Sequence, residues 1–326
     1  MKSGWVLLAV VILLAALAGL AVGQVDIGPA MLWHGALTGE GPGALTLRLI
    51  RAPRVVTGLG AGAALGMAGA ICQMLFRNPL AAPDVMGFTA GAGLAVVAAI
   101  ALGLGLPLPP VAAAGGLATA GLVAALSWSP RHDTPPLTLI LVGLGIGFTA
   151  GALGSFAMTR LPQAEAAEAQ RWLTGSLAAR DWGQAAQVWG ISAVLGLVAA
   201  VQMRALAVLE LGEAMAAGLG LRAGRARWAL VATAVLLAAT GVAVAGPLPF
   251  VALMAGPLGA RVTGARSPLA QMLAAGATGA AIVVLADLAA RAALPGIQLP
   301  AGVTTGLLGA PYLLWLLARG MARGAL

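Results

Sequence analysis

The chain has 326 residues, of which 60% are hydrophobic and 9% charged, with 18 basic and 10 acidic side chains and a formal net charge of +8. Soluble domains use about 45–50% apolar and about 25% charged residues, so this composition excludes an ordinary soluble enzyme and leaves little room for a soluble domain. Lys2 is the lone lysine beside 17 arginines. In a membrane chain that excess first poses a question of orientation, not of nucleic acid.

A membrane-spanning helix needs about 20 apolar residues to cross about 30 Å of hydrocarbon. Suitable windows run over residues 5–22, 55–76, 85–106, 110–128, 137–158, 185–203, 226–260, 268–294 and 303–317. The first, behind Lys2, has the layout of a secretory signal. Its 18 apolar residues exceed a typical signal core, so it reads as a retained first crossing. The seventh window would make a helix of about 52 Å at about 1.5 Å per residue, too long for one crossing. Gly246-Pro247-Leu248-Pro249 lies inside it and cannot continue a helix without losing hydrogen bonds. Splitting there gives ten spans, the eighth short.

Charge parity tests the count. Ten spans with a cytoplasmic N-terminus place 11 basic residues inside and 7 outside, whereas nine spans give 8 inside and 10 outside. Ten spans with both termini cytoplasmic is the better reading, with a net charge of +7 inside and +1 outside. Small residues recur within the spans, notably Gly58 through Gly69 and Gly143, Gly147 and Gly151. Such stripes suit tight packing inside one bundle, a subunit interface or a mobile helix. The whole of residues 1–326 reads as one polytopic domain.

Chemistry is sparse. Cys72 sits in an apolar run and has no cysteine partner, while His34 and His132 fall in loops on opposite sides. No His, Cys, Asp or Glu cluster has metal-ligand spacing, and no GxSxG elbow is present. A phosphate-binding P-loop needs a lysine behind its glycines, which Lys2 cannot supply, so the chain does not hydrolyse ATP by itself. Asp287 and Arg291, four residues apart near the outer end of a span, form a pair on one helix face. A proton relay, as in an ion-coupled secondary transporter, is the competing reading, but no second buried acid accompanies it.

The longest inside connection, about 204–227, holds a short helix former from Leu211 to Leu219. Glu210 and Glu213 stand near its start, Gly218 and Gly220 at its end, and Arg222, Arg225 and Arg227 follow. Docking into a groove on another protein and lying at the interface as an amphipathic connector fit this segment equally.

Seven stretches, in order, resemble one family. Ile50-Arg51-Ala52-Pro53-Arg54 is similar to an "RLPR" motif, and residues 69–83, GAICQMLFRNPLAAP, to "GAxxQxLFRNPLAxP". Residues 172–182 resemble "WLxGSL…DW", and residues 211–220 resemble "LGExxAxxLG". Residues 286–291, 299–305 and 309–317 resemble "ADxxAR…LPxGxxTxxxGAPxFxxLL". The family is the FecCD-like permeases of type II ABC importers for iron–siderophore complexes, haem and vitamin B12. One departure stands at residues 250–261, where the family's "FVGLxxPHxxR" gains a residue and its histidine is Leu258.

The resemblance implies an all-α inner-membrane permease of ten helices that passes a chelate from periplasm to cytoplasm by alternating access. It implies a second permease subunit, as a homodimer, an ABC ATPase dimer that holds the ATP and magnesium, and a periplasmic or lipoprotein substrate-binding protein. This chain would carry no cofactor or metal of its own and contact lipid but no nucleic acid. Leu211, Gly212, Glu213, Ala214, Gly218, Leu219 and Gly220 would couple to the ATPase. Arg51, Arg54 and Arg291 would meet acidic residues of the binding protein, with anchoring to lipid phosphate as the alternative. Asn78, Pro79 and Leu80 would form a cytoplasmic gate opposite Thr134 and Leu137, where Pro135-Pro136 departs from the family's small polar residues.

Overall fold

The computed structural model describes residues 2–23, 27–84, 86–127, 136–293 and 298–322. Among them the chain is entirely helical. Its helices are α1 (Lys2–Ala21), α2 (Pro29–Thr38), α3 (Gly41–Leu45), a π-helical turn (Thr46–Arg51), α4 (Ala52–Phe76), α5 (Phe88–Ala101), α6 (Leu108–Ser127) and α7 (Pro136–Met158). There follow α8 (Gln163–Leu173), α9 (Trp182–Leu209), α10 (Glu213–Gly218), α11 (Ala223–Ala245), α12 (Val251–Thr263), α13 (Pro268–Ala292) and α14 (Ala301–Ala322). Seven helical segments are long and apolar enough to cross a membrane, and α5, α12 and residues 301–316 of α14 are shorter apolar ones. Together they are the ten expected segments.

The break expected at 246–249 is present. Gly246 (φ 70°) ends α11, and Phe250 (φ 65°) precedes α12. With 13 residues, α12 is about 20 Å long and cannot cross the hydrocarbon alone. α5 is shorter than its apolar window because Gly103 and Gly105, both at φ 60°, unwind the chain after Ala101. The connection before the second span, expected only as a loop holding His34, folds into α2, α3 and the π turn. His34 lies within α2. His132 lies outside the described residues.

α4 is the buried axis of the bundle, packed on α13, α11, α12 and α9. Its glycine stripe explains how. A side chain at Gly62 would strike the backbone of Gly279, one at Gly66 the Ala275 carbonyl, and one at Gly69 the Ala252 carbonyl. The stripe therefore serves packing within the chain: without a hydrophobic drive between helices in lipid, close backbone approach supplies the van der Waals contact. Gly143 and Gly147 likewise face the backbone of Met86 and Gly87, while Gly151 has nothing near it. Several core hydroxyls are satisfied locally: Thr119, Thr233, Thr240 and Thr263 each donate to the carbonyl four residues back.

Three non-helical breaks meet inside the bundle. The Ser176 amide donates to the Ala245 carbonyl (2.8 Å), and the Gly302 amide to the Gly175 carbonyl (3.1 Å). Side chains at Gly175, Gly246 or Gly302 would strike the backbone of a neighbouring break. Irregular backbone is tolerated at membrane depth only where protein satisfies it, and here each break serves the others. Leu258, where the family pattern carries histidine, packs against the small apolar cluster of Ala82, Ala252, Leu253 and Met254.

The bundle has two distinct ends. At the arginine end, Arg51 and Arg291 reach the last carbonyls of α1. At the opposite, turn end lie the start of α1, where Gly4 abuts Val262, and the last turns of α14, where Trp315 lies beneath Arg261 and Arg319. Both ends of the described chain thus lie on one side of the bundle.

Candidate functional site

The turn end gathers two of the segments singled out in the sequence. α4 stops at Arg77, whose backbone is left-handed (φ 50°). Asn78 then folds the chain back: its side-chain oxygen accepts from the Leu80 amide (2.9 Å) and its carbonyl from the Ala81 amide (3.0 Å). That is an Asx turn closed around Pro79, which has no amide to leave unpaired. Gln73 Nε2 donates to both the Pro79 carbonyl (2.7 Å) and the Leu253 carbonyl at the start of α12 (2.9 Å). The Arg77 guanidinium donates to the carbonyls of Leu209 (2.9 Å) and Glu210 (2.7 Å), where α9 ends and the coupling segment begins. Between these ties lies a cleft of about 320 Å³ lined by Gln73, Arg77, Glu210, Gly256 and Pro257.

Most of the segment expected to couple to an ATPase folds as α10. Gly212 (φ 103°) starts it and Gly220 (φ 80°) follows it, conformations that suit residues without a Cβ. Gly218 is its last helical residue. Ala216 is fully buried, whereas Leu211, Met215 and Leu219 are 61%, 63% and 66% exposed. They follow one another at four-residue intervals along the segment, with Met215 alone inside α10, so an apolar row is left exposed while Ala216 fixes the helix to the bundle. Glu213 and Ala214 lie in its first turn. Of the opposing gate, Leu137 lies in the first turn of α7 and Thr134 lies outside the described residues.

At the other end, the three arginines expected as a docking row do converge, but beneath the surface: Arg51, Arg54 and Arg291 are 3%, 8% and 8% exposed. Arg54 grips Asp287 with Nε and Nη2 (3.0 and 2.8 Å), and Arg291 Nε adds a 3.2 Å contact to the other carboxylate oxygen. Arg51 Nη1 donates to the Leu20 and Ala21 carbonyls (2.9 and 2.6 Å), and Arg291 Nη1 to those of Gly19 and Val22 (3.1 and 2.7 Å). The three arginines expected to meet a binding protein are therefore buried, and much of their hydrogen bonding goes to the end of α1 and to Asp287. The pair expected between Asp287 and Arg291 is present. Asp287 is thus held between two guanidiniums, its carboxylate oxygens occupied by Arg54 and Arg291.

Gln73, Arg77 and Met215 were not singled out in the sequence, and neither was the pairing of Arg54 with Asp287. Met215 carried a usable signal, the four-residue spacing with Leu211 and Leu219. Gln73 and Arg77 stood inside a recognised motif without a role. Arg54 and Asp287 are 233 residues apart, and nothing local links them.

Residues 8–319 match the FecCD transport family. The ferric enterobactin transport system permease protein of Escherichia coli (strain K12) is 36% identical over 92% of this chain and 90% of its own length. The vitamin B12 import system permease protein of Escherichia coli O157:H7 (strain EC4115 / EHEC) is 35% identical over 97% of this chain and 95% of its own. A solved inward-facing metal-chelate type ABC transporter superposes with a TM-score of 0.83 at 25% identity, covering 97% of this chain and 99% of that one.

Proposed function

The chain belongs to the FecCD transport family and is a permease subunit of an ABC importer, not itself an enzyme; from that premise we propose how its two ends divide the work. The substrate is an iron–siderophore or a corrinoid chelate, the class carried by the named relatives, and it passes between two copies of this chain by alternating access. The turn end faces the cytoplasm, with both termini, and seats the ATPase dimer on α10. The observation that carries this reading is the row of exposed apolar side chains Leu211, Met215 and Leu219 along the segment that contains α10, whose Ala216 is fully buried, beside the Asn78-Pro79-Leu80 turn. A row of this kind suits a groove on a partner.

Met215→Asp with Leu219→Asp tests it. Each removes an apolar anchor of the kind worth about 2 kcal/mol at an interface centre, so ATPase recovered with the tagged permease falls about tenfold or more while the permease still purifies as a sharp peak. Wild-type recovery of the ATPase from the double variant would refute the seat on α10.

The arginine end receives the substrate-binding protein. Its buried guanidiniums outnumber the acid they enclose, and the exposed Arg48 stands one turn before Arg51 in the same π-helical segment, with its carbonyl bound by Trp182 Nε1 (2.8 Å). Such a field steers an acidic surface more than it grips it. Arg48→Glu is expected to slow association of the binding protein at low salt and to have little effect at high salt, measured by surface plasmon resonance. A salt-independent loss, or none, would count against steering.

A further inference from the structure

Resting on the reading of α10 as the ATPase seat, we propose that Arg77 is the strut through which a displacement of the coupling segment reaches the gate turn. The guanidinium holds the carbonyls of Leu209 and Glu210, where α9 ends and the chain leads through Leu211 and Gly212 into α10, and the same residue is the first of the Arg77-Asn78-Pro79-Leu80 turn. One side chain therefore spans from the root of the coupling segment to the gate.

Two features argue that this is more than a staple between helix ends. First, Arg77 sits in the left-handed conformation that follows a helix end, where glycine or asparagine is the easy choice and any other residue carries a cost of about 1 kcal/mol. Arginine stands at this strained backbone position, and its side chain is what the turn gains there. Second, the turn is held from opposite sides: Arg77 ties it to α9, and Gln73 ties its Pro79 carbonyl to the start of α12. The cleft of about 320 Å³ lies between the two ties, so the turn has room to follow one element away from the other. A cation at the carboxyl end of α9 is also electrostatically favoured, which makes the tie firm enough to transmit a pull.

The test uses the assembled permease and ATPase in inside-out vesicles. Cys72 is 1% exposed and is the chain's own thiol, so background labelling by a membrane-impermeant maleimide is low. One reporter, Met215→Cys, reads ATPase seating by protection from the maleimide. The other, Leu80→Cys, reads the gate turn by the change in its labelling rate on addition of ATP and vanadate. The expected result is a several-fold change at position 80 that Arg77→Ala abolishes and Arg77→Lys partly restores, with position 215 protected throughout.

Persistence of the change at position 80 in Arg77→Ala would overturn the strut, as would its absence when Arg77 is intact and position 215 is protected. Loss of protection at position 215 in Arg77→Ala would reduce Arg77 to a staple that holds α10 in place. If position 215 is unprotected with Arg77 intact, the ATPase does not sit on α10, and the underlying reading fails along with the strut.

Discussion

Replacing Asp287 by alanine is expected to destabilise the permease by about 3–5 kcal/mol, the range for leaving a buried charge uncompensated. Asp287 is the acid between Arg54 and Arg291, and all three side chains are at least nine-tenths buried. Removing it turns an enclosed pair of guanidiniums into adjacent like charges with no anion between them. The melting temperature of the purified protein, followed by loss of its monodisperse elution peak, should fall steeply, and expression should fall with it. Arg54→Met combined with Asp287→Met should recover part of the loss, because both members of the bidentate pair are then replaced by apolar groups of similar volume. A wild-type melting temperature for Asp287→Ala would show that water or lipid phosphate reaches the arginines and that the cluster is not sealed.

Gly62→Leu is expected to be as severe, for a different reason. The position faces the backbone of Gly279 across the crossing of α4 and α13, so the obstacle cannot rotate away as a side chain could. Overpacking a well-filled core costs about 1–3 kcal/mol and sometimes more, and here the strain falls on the helix that carries the whole bundle. Gly190→Ala provides the contrast. Nothing lies within 4 Å of a side chain added there, so the gain in helix propensity, up to about 1 kcal/mol, should leave the melting temperature equal or higher. Equal melting temperatures for Gly62→Leu and the wild type would mean that the two helices are not in close contact in the membrane.

The sequence made the spans legible because each is a local sum of apolar residues, and it made the interruption at 246–249 legible because proline's missing donor is a property of one residue. What it hid was relational. Gly58, Gly62, Gly66 and Gly69 announce a small-residue face, but only the fold shows that α13 and α12 fill it and that no second subunit is needed there. The motif that names Arg51, Arg54 and Arg291 says nothing of burial, which depends on the carbonyls at the end of α1 and on an acid 233 residues further along. α8 and the helices before the second span escaped because their residues are too polar or too few to give an apolar window. The segment at Asn78 was marked by its motif, but the bond from the Leu80 amide to the Asn78 side chain that closes the Asx turn came only with the structure.

The meeting of Gly175, Gly246 and Gly302 also orders events in time. The Gly302 amide, which completes the knot by donating to Gly175, is synthesised 127 residues after its acceptor. At about 5–20 residues per second, that carbonyl waits on the order of ten seconds inside or beside the membrane before its partner emerges. Until then the breaks around residues 175 and 246 are an open seam, reachable by water, by insertion factors and by membrane proteases. A chain cut short before α14 thus carries nine apolar segments and a Gly175 carbonyl without the Gly302 amide that the finished protein supplies.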